Sequence, residues 1–183
     1  MDSKHADKNS FQNVQWLSLC TILLLCQSIY AKWQPAKGPL LTRWAERISP
    51  KNAHGEYPRP QMVRKSWQNL NGLWDYAIVH KSQQQPDAFD GKILVPFPVE
   101  SALSGVMKPV GQDNRLWYRR TFRIPRTWKD QRVLLHFGAV DFDSTVWVNG
   151  TQVGTHRGGY DPFSFDITDA IKEIPEQEIV VSV

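Results

Sequence analysis

Residues 144–168 read STVWVNGTQVGTHRGGYDPFSFDIT, and this stretch decides the fold. The β-branched and aromatic run 145–148 comes directly before Asn149-Gly150, and a second short run, 152–154, follows the pair. Asn-Gly is the pair that most favours a two-residue turn between antiparallel strands, because both turn positions need a positive φ angle. The stretch therefore predicts a β-hairpin.

Two other features of this stretch have structural explanations. Residues 149–151 form the glycosylation sequon Asn-Gly-Thr, but the turn is a sufficient reason for them, and a glycan matters only in a host that glycosylates secreted proteins. Gly158-Gly159 leads into the strand-like run 163–165, whereas a phosphate-binding loop would lead into a helix N-terminus. We therefore interpret these glycines as permissive residues where the chain crosses a sheet edge.

The rest of the chain repeats the pattern of short β-branched or aromatic runs bounded by Gly, Pro, Asn or Asp. No long amphipathic helix separates the runs. This spacing predicts an all-β fold, an antiparallel β-sandwich or barrel, rather than β-α-β units. The predicted strands cover residues 73–79, 93–95, 116–124, 132–137, 145–148, 152–154, 163–167 and 178–183.

The predicted strand 116–124 shows how its residues divide between two faces. Leu116, Tyr118 and Phe122 alternate on an apolar face, while the arginines and the threonine between them fit a solvated face. Arg120 interrupts the apolar face, and we interpret it as an arginine paired with a carboxylate at a sheet edge rather than as an anion contact.

The tryptophans have two interpretations, because flat indole rings both stack on sugars and build small β cores. Trp74 and Trp117 lie inside predicted strands, so we expect core or strand-face packing for them. Trp147 lies beside the hairpin turn, and its role stays open.

Residues 1–31 are predicted to be a secretory signal peptide, which implies a secreted or periplasmic protein. The run 16–26, WLSLCTILLLC, is apolar but too short to span a bilayer comfortably, and small residues that offer cleavage points follow it. A short membrane anchor is the structural alternative. Both cysteines, Cys20 and Cys26, lie in this segment, so the processed chain would have no thiol for a disulfide or a thiolate metal site.

The remaining chain divides into two parts. The proline-rich segment 32–69 has no sustained period and predicts an extended strap, which Trp33 and Trp44 would pin to the domain at residues 70–183. That domain reaches residue 183 within the strand run EIVVSV, without a turn or a polar tail. We expect the natural polypeptide to continue beyond it.

Charge and titratable residues argue against several other functions. The net charge is +4, but lysines and arginines are scattered among acidic residues, so we expect no nucleic-acid partner. The histidines show no metal-ligand spacing, and we expect neither a metal nor another cofactor. Asp141 and Asp143 share one side of an extended segment, where they would form an acid/base pair, a calcium site or a structural pair that meets arginines. We favour the structural pair.

An ordered series of motifs resembles the N-terminal sugar-binding domain of glycoside hydrolase family 2, which includes β-galactosidases, β-glucuronidases and β-mannosidases. Any one motif is weak, but their order and spacing together are specific, and they cover residues 70–183. The motifs are LNGLWDY at 70–76, VPFPVES at 95–101, WYRRTF at 117–122, VLLHFGAVD at 133–141, VWVNG at 146–150 and HRGGYDPF at 156–163.

The resemblance implies a jelly-roll, galactose-binding-like sandwich. It also implies that both catalytic glutamates of a retaining mechanism lie in a TIM barrel outside this chain, so that the isolated chain has no catalytic residue and is inactive. Members of the family place residues from the loop before the Trp-Tyr strand beside the sugar, which here makes candidates of Glu100, Asp113 and Asn114. Further candidates for an exposed contact are Trp147, His156, Tyr160 and Asp161.

Three functions follow from these patterns. The first is the sugar-binding part of a secreted family 2 glycoside hydrolase of β-galactosidase type, whose partners are a β-glycoside substrate and downstream domains of the same polypeptide. After signal cleavage such a protein has no membrane contact. The second is an independent, non-catalytic carbohydrate-binding module, and the third is an adhesion or purely structural domain.

Overall fold

The structure, a computed structural model, describes residues 33–38, 40–55 and 64–183 of the 183-residue chain. These residues belong to one compact unit, Trp33–Val183. The predicted signal peptide at residues 1–31, with both cysteines, lies outside the described residues. Its cleavage and the resulting localisation stay predictions.

The prediction of an all-β fold is confirmed, because each predicted run coincides with an observed strand. The regular helices among the described residues are four short 3₁₀ turns, at Ala45–Arg47, Ala102–Ser104, Arg126–Trp128 and Thr168–Ala170. The strands are β1 (Gly72–His80), β2 (Gly91–Val95), β3 (Asn114–Phe122), β4 (Leu134–Phe137), β5 (Asp143–Val148), β6 (Thr151–Arg157), β7 (Phe163–Asp166) and β8 (Gln177–Ser182).

The strands form two antiparallel sheets. The larger sheet has six strands in the order β2-β1-β3-β8-β5-β6, and the smaller sheet pairs β4 with β7. The predicted hairpin joins β5 to β6, with positive φ angles of 51° at Asn149 and 83° at Gly150. Phe165 of β7 packs directly on Gly154 of β6, which holds the smaller sheet against this side of the larger one.

Strand lengths differ from the sequence prediction where tertiary contacts intervene. β6 continues to Arg157 because it stays paired with β5 as far as the Asp143–Arg157 register pair. β4 begins only at Leu134, since the Thr168 hydroxyl, and not a β7 carbonyl, accepts the Val133 N–H at 2.9 Å. Side-chain competition for backbone groups therefore sets this strand end.

The main core lies between the two sheets, on what we call the inner face of the larger sheet. Its buried residues come from nearly every strand and include Trp74, Tyr76, Ile93, Leu116, Phe122, Leu135, Val146, Val148, Ile179 and Val181. A smaller cluster of Ala77, Trp117 and Val180 covers the opposite, outer face, where Trp117 is only 4% exposed. Arg115 and Arg119 are half-buried and Thr121 is exposed on this face, as predicted, although Trp117 is buried among them. The expected core or strand-face packing of Trp74 and Trp117 is confirmed.

Arg120 lies on the inner face of the larger sheet. The prediction that it pairs with a carboxylate is wrong. Its guanidinium donates to the carbonyls of Leu70 at 2.5 Å and Asn71 at 2.9 Å, and sits 6.0 Å from the Trp74 ring centroid. Burial lowers the pKa of this guanidinium. The arginine thus supplies hydrogen-bond donors to backbone carbonyls just before β1, and not to an acidic side chain.

The described parts of the predicted strap contact the domain. The Trp33 indole N–H donates to the Ser104 carbonyl at 3.4 Å, and the Ala36 N–H donates to the Ala102 carbonyl at 2.8 Å. Trp44 does not pin the strap, since it is 54% exposed and lies beneath the guanidinium of Arg43 instead of in the core.

Candidate functional site

One end of the larger sheet gathers three loops. β3 and β5 begin at this end, β1 and β6 finish there, and the register pairs His80–Asn114 and Asp143–Arg157 mark it. The loops at residues 111–113, 138–142 and 158–162 extend from these strand ends. Loops held by a rigid sheet are the common location of binding residues.

A cavity of about 1410 Å³ opens between β4 and the inner face of the larger sheet. Its lining mixes apolar inner-face residues with aromatic and polar side chains from the loops. This is the composition of a typical small-ligand site. The loop and rim residues include Trp67, Phe97, Glu100, Asn114, Tyr118 and Phe142.

Glu100 and Tyr118 both line this cavity. Burial, and then the negative charge of Glu100, raises the pKa of the Tyr118 hydroxyl well above its ordinary value. The phenol therefore stays protonated and can donate a hydrogen bond. The alternation of apolar residues placed Tyr118 on the apolar face but could not predict the surroundings of its hydroxyl. Tyr118 was therefore not among the predicted site residues.

Asp113 and Asn114 help to shape their own loop. The side-chain amide of Asn114 donates to the Val110 carbonyl at 2.7 Å, which closes the turn before β3. Asp113 lies 3.8 Å from the Lys81 ammonium. Of these two predicted residues, Asn114 lines the cavity together with Glu100, and both Asp113 and Asn114 are exposed.

His156, Tyr160 and Asp161 lie at the same end of the sheet but in different surroundings. The His156 ring stacks on Phe163 with centroids 4.0 Å apart, and its Nε2 atom is buried without a hydrogen-bond partner among the described residues. Tyr160 is 95% exposed, and Asp161 is exposed beside it. Tyr160 and Asp161 therefore have exposed side chains, whereas His156 is half-buried.

Asp141 packs against Gly159. A Cβ atom on Gly159 would lie 2.7 Å from the Asp141 carboxylate, so a larger residue here would displace the Asp141 side chain. Neither Asp141 nor Asp143 forms an ion pair with a residue in the described part of the chain. Asp143 lies opposite Arg157 in the β5–β6 register, so the expected structural pair lies at the sheet edge beside an arginine but forms no ion pair with it.

Trp147 is separated from the other predicted residues. It lies on the outer face of β5, where its ring stacks on Trp117 with centroids 5.5 Å apart. The structure thus places Asp113, Asn114, Tyr160 and Asp161 at one end of the larger sheet and Glu100 in the cavity lining, whereas Trp147 lies on the outer face.

Sequence reasoning also missed an aromatic group beside β4. Trp67 stacks on His136 at 5.3 Å between centroids, and His136 Nδ1 lies 2.5 Å from the Ser164 hydroxyl. Burial and the nearby Arg64 charge lower the pKa of His136. These residues line the cavity, yet 69 positions separate Trp67 from His136, so no local pattern joins them.

Residues 33–38, 40–55 and 64–183 contain neither a metal-binding cluster nor a membrane-spanning helix. No cluster of three or more His, Cys, Asp or Glu side chains is arranged to hold a metal ion. Within the same ranges, no helix has the length and apolarity needed to cross a membrane.

Comparison with known proteins identifies the family. Residues 91–183 match the sequence profile described as glycosyl hydrolases family 2, sugar binding domain. The chain belongs to glycosyl hydrolase family 2. The sheets and the end-of-sheet loops described above are therefore those of a family 2 sugar-binding domain.

Individual relatives agree with this family 2 assignment. The chain is 32% identical over 160 residues to a beta-glucuronidase of Felis catus, with 76% of this chain and 23% of that protein covered. It is 48% identical over 56 residues to a beta-galactosidase of Thermoanaerobacter pseudethanolicus, with coverage of 31% and 8%.

A solved beta-glucuronidase of Faecalibacterium prausnitzii shares the fold. Its TM-score is 0.52 at 28% sequence identity, covering 63% of this chain and 20% of that one. The family 2 chain thus spans less than a quarter of the length of each of these three proteins.

Proposed function

We propose that this chain is the N-terminal sugar-binding portion of a secreted family 2 glycoside hydrolase of β-galactosidase type, which hydrolyses O-glycosyl bonds in carbohydrate metabolism. In this proposal the catalytic barrel lies outside the chain. The observation that carries it is the family match over residues 91–183 in a chain that covers only a fraction of its named relatives.

The geometry supports a role as one wall of the substrate pocket. Glu100 and Asn114 line the cavity, and the protonated Tyr118 hydroxyl adds a hydrogen-bond donor near them. Carboxylate, amide and phenol groups beside aromatic rings are the side chains that bind sugar hydroxyls and ring faces. In the complete enzyme these residues would orient the sugar, and the barrel would supply the paired carboxylates that glycoside hydrolysis requires.

The choice of β-galactosidase type is supported by the 48% identity to the bacterial beta-galactosidase, although that match covers only 56 residues. The match to the feline beta-glucuronidase is longer but less identical. Specificity is therefore the part of the proposal that needs a direct substrate comparison.

The test is turnover of aryl β-galactoside and aryl β-glucuronide by two proteins: the complete gene product and the 183-residue chain. We expect the complete product to hydrolyse the galactoside faster and the 183-residue chain to match a denatured control. Turnover by the short chain, or preference of the long product for the glucuronide, would refute the corresponding part of the proposal.

Matched variants of the complete product test the pocket wall. Glu100→Gln removes a charge at the cavity, whereas Glu173→Gln removes an exposed charge in the loop before β8, outside the cavity lining. We expect only Glu100→Gln to raise KM. If saturable sugar binding is instead found by calorimetry in the 183-residue chain alone, an independent carbohydrate-binding module is favoured.

A further inference from the structure

We propose that the exposed ring of Phe142 is a stacking platform for a second sugar ring, so that the substrate is a glycoside with at least two linked sugar units. The inference rests on the proposed function, because that function places the first sugar against Glu100, Asn114 and Tyr118 in the cavity. It adds the chemical class of the leaving group, which is another sugar held on the ring of Phe142.

The first argument is the exposure of Phe142 within the cavity lining. The residue lines the cavity and is nevertheless 53% exposed. Two other aromatic residues of the described ranges are as exposed, Trp44 and Tyr160, and neither lines the cavity. A single exposed aromatic residue is ordinary on a protein surface, but one in the lining of a large cavity offers an apolar face to a ligand.

The second argument is that the surrounding loops fix the position of this ring. The Gly158 N–H donates to the Phe142 carbonyl at 2.8 Å. The guanidinium carbon of Arg157 lies 5.4 Å from the centroid of the Phe142 ring. β5 begins at the next residue and is paired with β6 from the start. A ring that is already positioned loses little conformational freedom when a ligand stacks on it.

The third argument is the position of Phe142 relative to Asn114. Trp117 of β3 and Thr145 of β5 both pair with Ser182 of β8. Asn114 and Phe142 each come three residues earlier, so they lie level with each other at the end of the larger sheet. Because β8 lies between β3 and β5, two strand spacings separate them, about 10 Å.

This separation is larger than a single six-membered ring and suits two linked rings. The cavity has the room, since its volume of about 1410 Å³ exceeds the roughly 300–1,000 Å³ of a typical small-molecule site. A single sugar held by Glu100, Asn114 and Tyr118 therefore leaves space beside Phe142 for the next unit of a glycan.

The fourth argument is the chemistry around Phe142. Asp143 and Arg157 are exposed beside it, and neither forms an ion pair with a residue in the described part of the chain. A sugar has C–H faces that pack on an aromatic ring and hydroxyls that bond to charged groups. A simple alkyl or aryl leaving group would contact the ring but leave both charges unused.

The test compares two substrates of the complete gene product, methyl β-galactoside and the disaccharide β-1,4-galactobiose. We expect Phe142→Ala to lower kcat/KM about tenfold more for the disaccharide than for the methyl glycoside, because only the disaccharide has a ring to stack. Trp44→Ala is the matched control, since Trp44 is similarly exposed but lies outside the cavity lining, and it should leave the ratio of the two values unchanged. An equal loss on both substrates in Phe142→Ala would overturn the proposal.

Two further variants separate stacking from ordinary packing. Phe142→Trp keeps a flat ring, whereas Phe142→Leu keeps an apolar side chain without one. We expect the tryptophan variant to retain the preference for the disaccharide and the leucine variant to lose it. If both variants instead lower the Tm and both activities together, Phe142 is covered by protein in the complete product and the proposal is wrong.

The outcomes also separate this inference from the proposed function. Turnover of both substrates with no selective effect of Phe142→Ala would remove the second sugar and leave the function intact. If the complete product prefers glucuronides, the corresponding glucuronosyl pair replaces the two galactosides. If it turns over no glycoside, the function fails, and calorimetric titration with galactobiose decides the role of Phe142. Weaker binding by Phe142→Ala than by Trp44→Ala would support the platform, and equal binding would exclude it.

Discussion

The side-chain amide of Asn149 donates to Oε1 of Gln177 at 2.7 Å, although 28 positions separate the two residues. The same amide donates to the Ala170 carbonyl at 2.8 Å, and Asn149 Oδ1 accepts the Glu178 N–H at 2.9 Å. Gln177 is 2% exposed. Asn149, whose positive φ angle forms the turn, therefore also joins the hairpin to the start of β8.

We expect Asn149→Gly to destabilise the fold by about 2–4 kcal/mol, since it removes three hydrogen bonds at a largely buried site. Glycine retains the positive φ angle, so the loss isolates the side chain. Urea unfolding measures it, with the exposed Thr151→Ala on the same hairpin as a control that stays within about 0.5 kcal/mol. Equal stability of the two variants would contradict the role assigned to the amide.

The same contacts predict that the folded protein carries no glycan at Asn149. A glycan would be attached to the side-chain nitrogen that donates to Ala170 and Gln177. After secretion from a glycosylating host, intact mass should show an unmodified chain, as in the sequon-free Thr151→Ala variant. A glycosylated protein with undiminished Tm would disprove this prediction.

Gly154→Ala should be destabilising because its Cβ atom would overlap the ring of Phe165. We expect a loss of about 1–3 kcal/mol from overpacking. Gly55→Ala is the control, since nothing lies within 4 Å of its Cβ position. Adding Phe165→Leu to Gly154→Ala should restore part of the stability in thermal unfolding, and strict additivity of the two changes would exclude the clash.

Arg120→Met should cost about 2–3 kcal/mol, because the carbonyls of Leu70 and Asn71 lose a charged donor. Arg120→Lys keeps one donor group and should lose less. In denaturant unfolding, the free energy of unfolding should decrease in the order wild type, Arg120→Lys, Arg120→Met. A methionine variant as stable as wild type would mean that water replaces the guanidinium.

Asp166 predicts a stability change in acid. The Thr168 hydroxyl and N–H, followed by Arg132, lower the pKa of this carboxyl to about 2 from an ordinary 3.8. A lowered folded-state pKa gives stability that is present above the unfolded-state value and lost as the pH falls through about 2. The stability advantage of wild type over Asp166→Asn should therefore shrink between these two pH values.

Carbon-detected NMR titration tests the cause of this shift. Thr168→Val removes the hydroxyl that donates to Asp166 Oδ1 at 2.5 Å. The midpoint for Asp166 should then move up towards its ordinary range. An unchanged midpoint would assign the shift to other neighbours.

Local chemistry explains why the strands were predictable. Alternation along β3, the Asn149-Gly150 turn and the breaks between runs depend on residues a few positions apart, so the sequence predicts them without knowledge of the rest of the fold. The order of the motifs likewise sufficed to indicate the family. The sequence by itself thus determined the strands, the hairpin and the family.

Only the tertiary structure decided which side chains meet. The negative charge of Glu100 acts on the Tyr118 hydroxyl, Trp67 stacks on His136, and Trp147 stacks on Trp117 on the outer face. Arg120 donates hydrogen bonds to backbone carbonyls and not to a carboxylate. These contacts depend on sheet order and on which face of each strand is covered, and both are set by residues far apart along the chain.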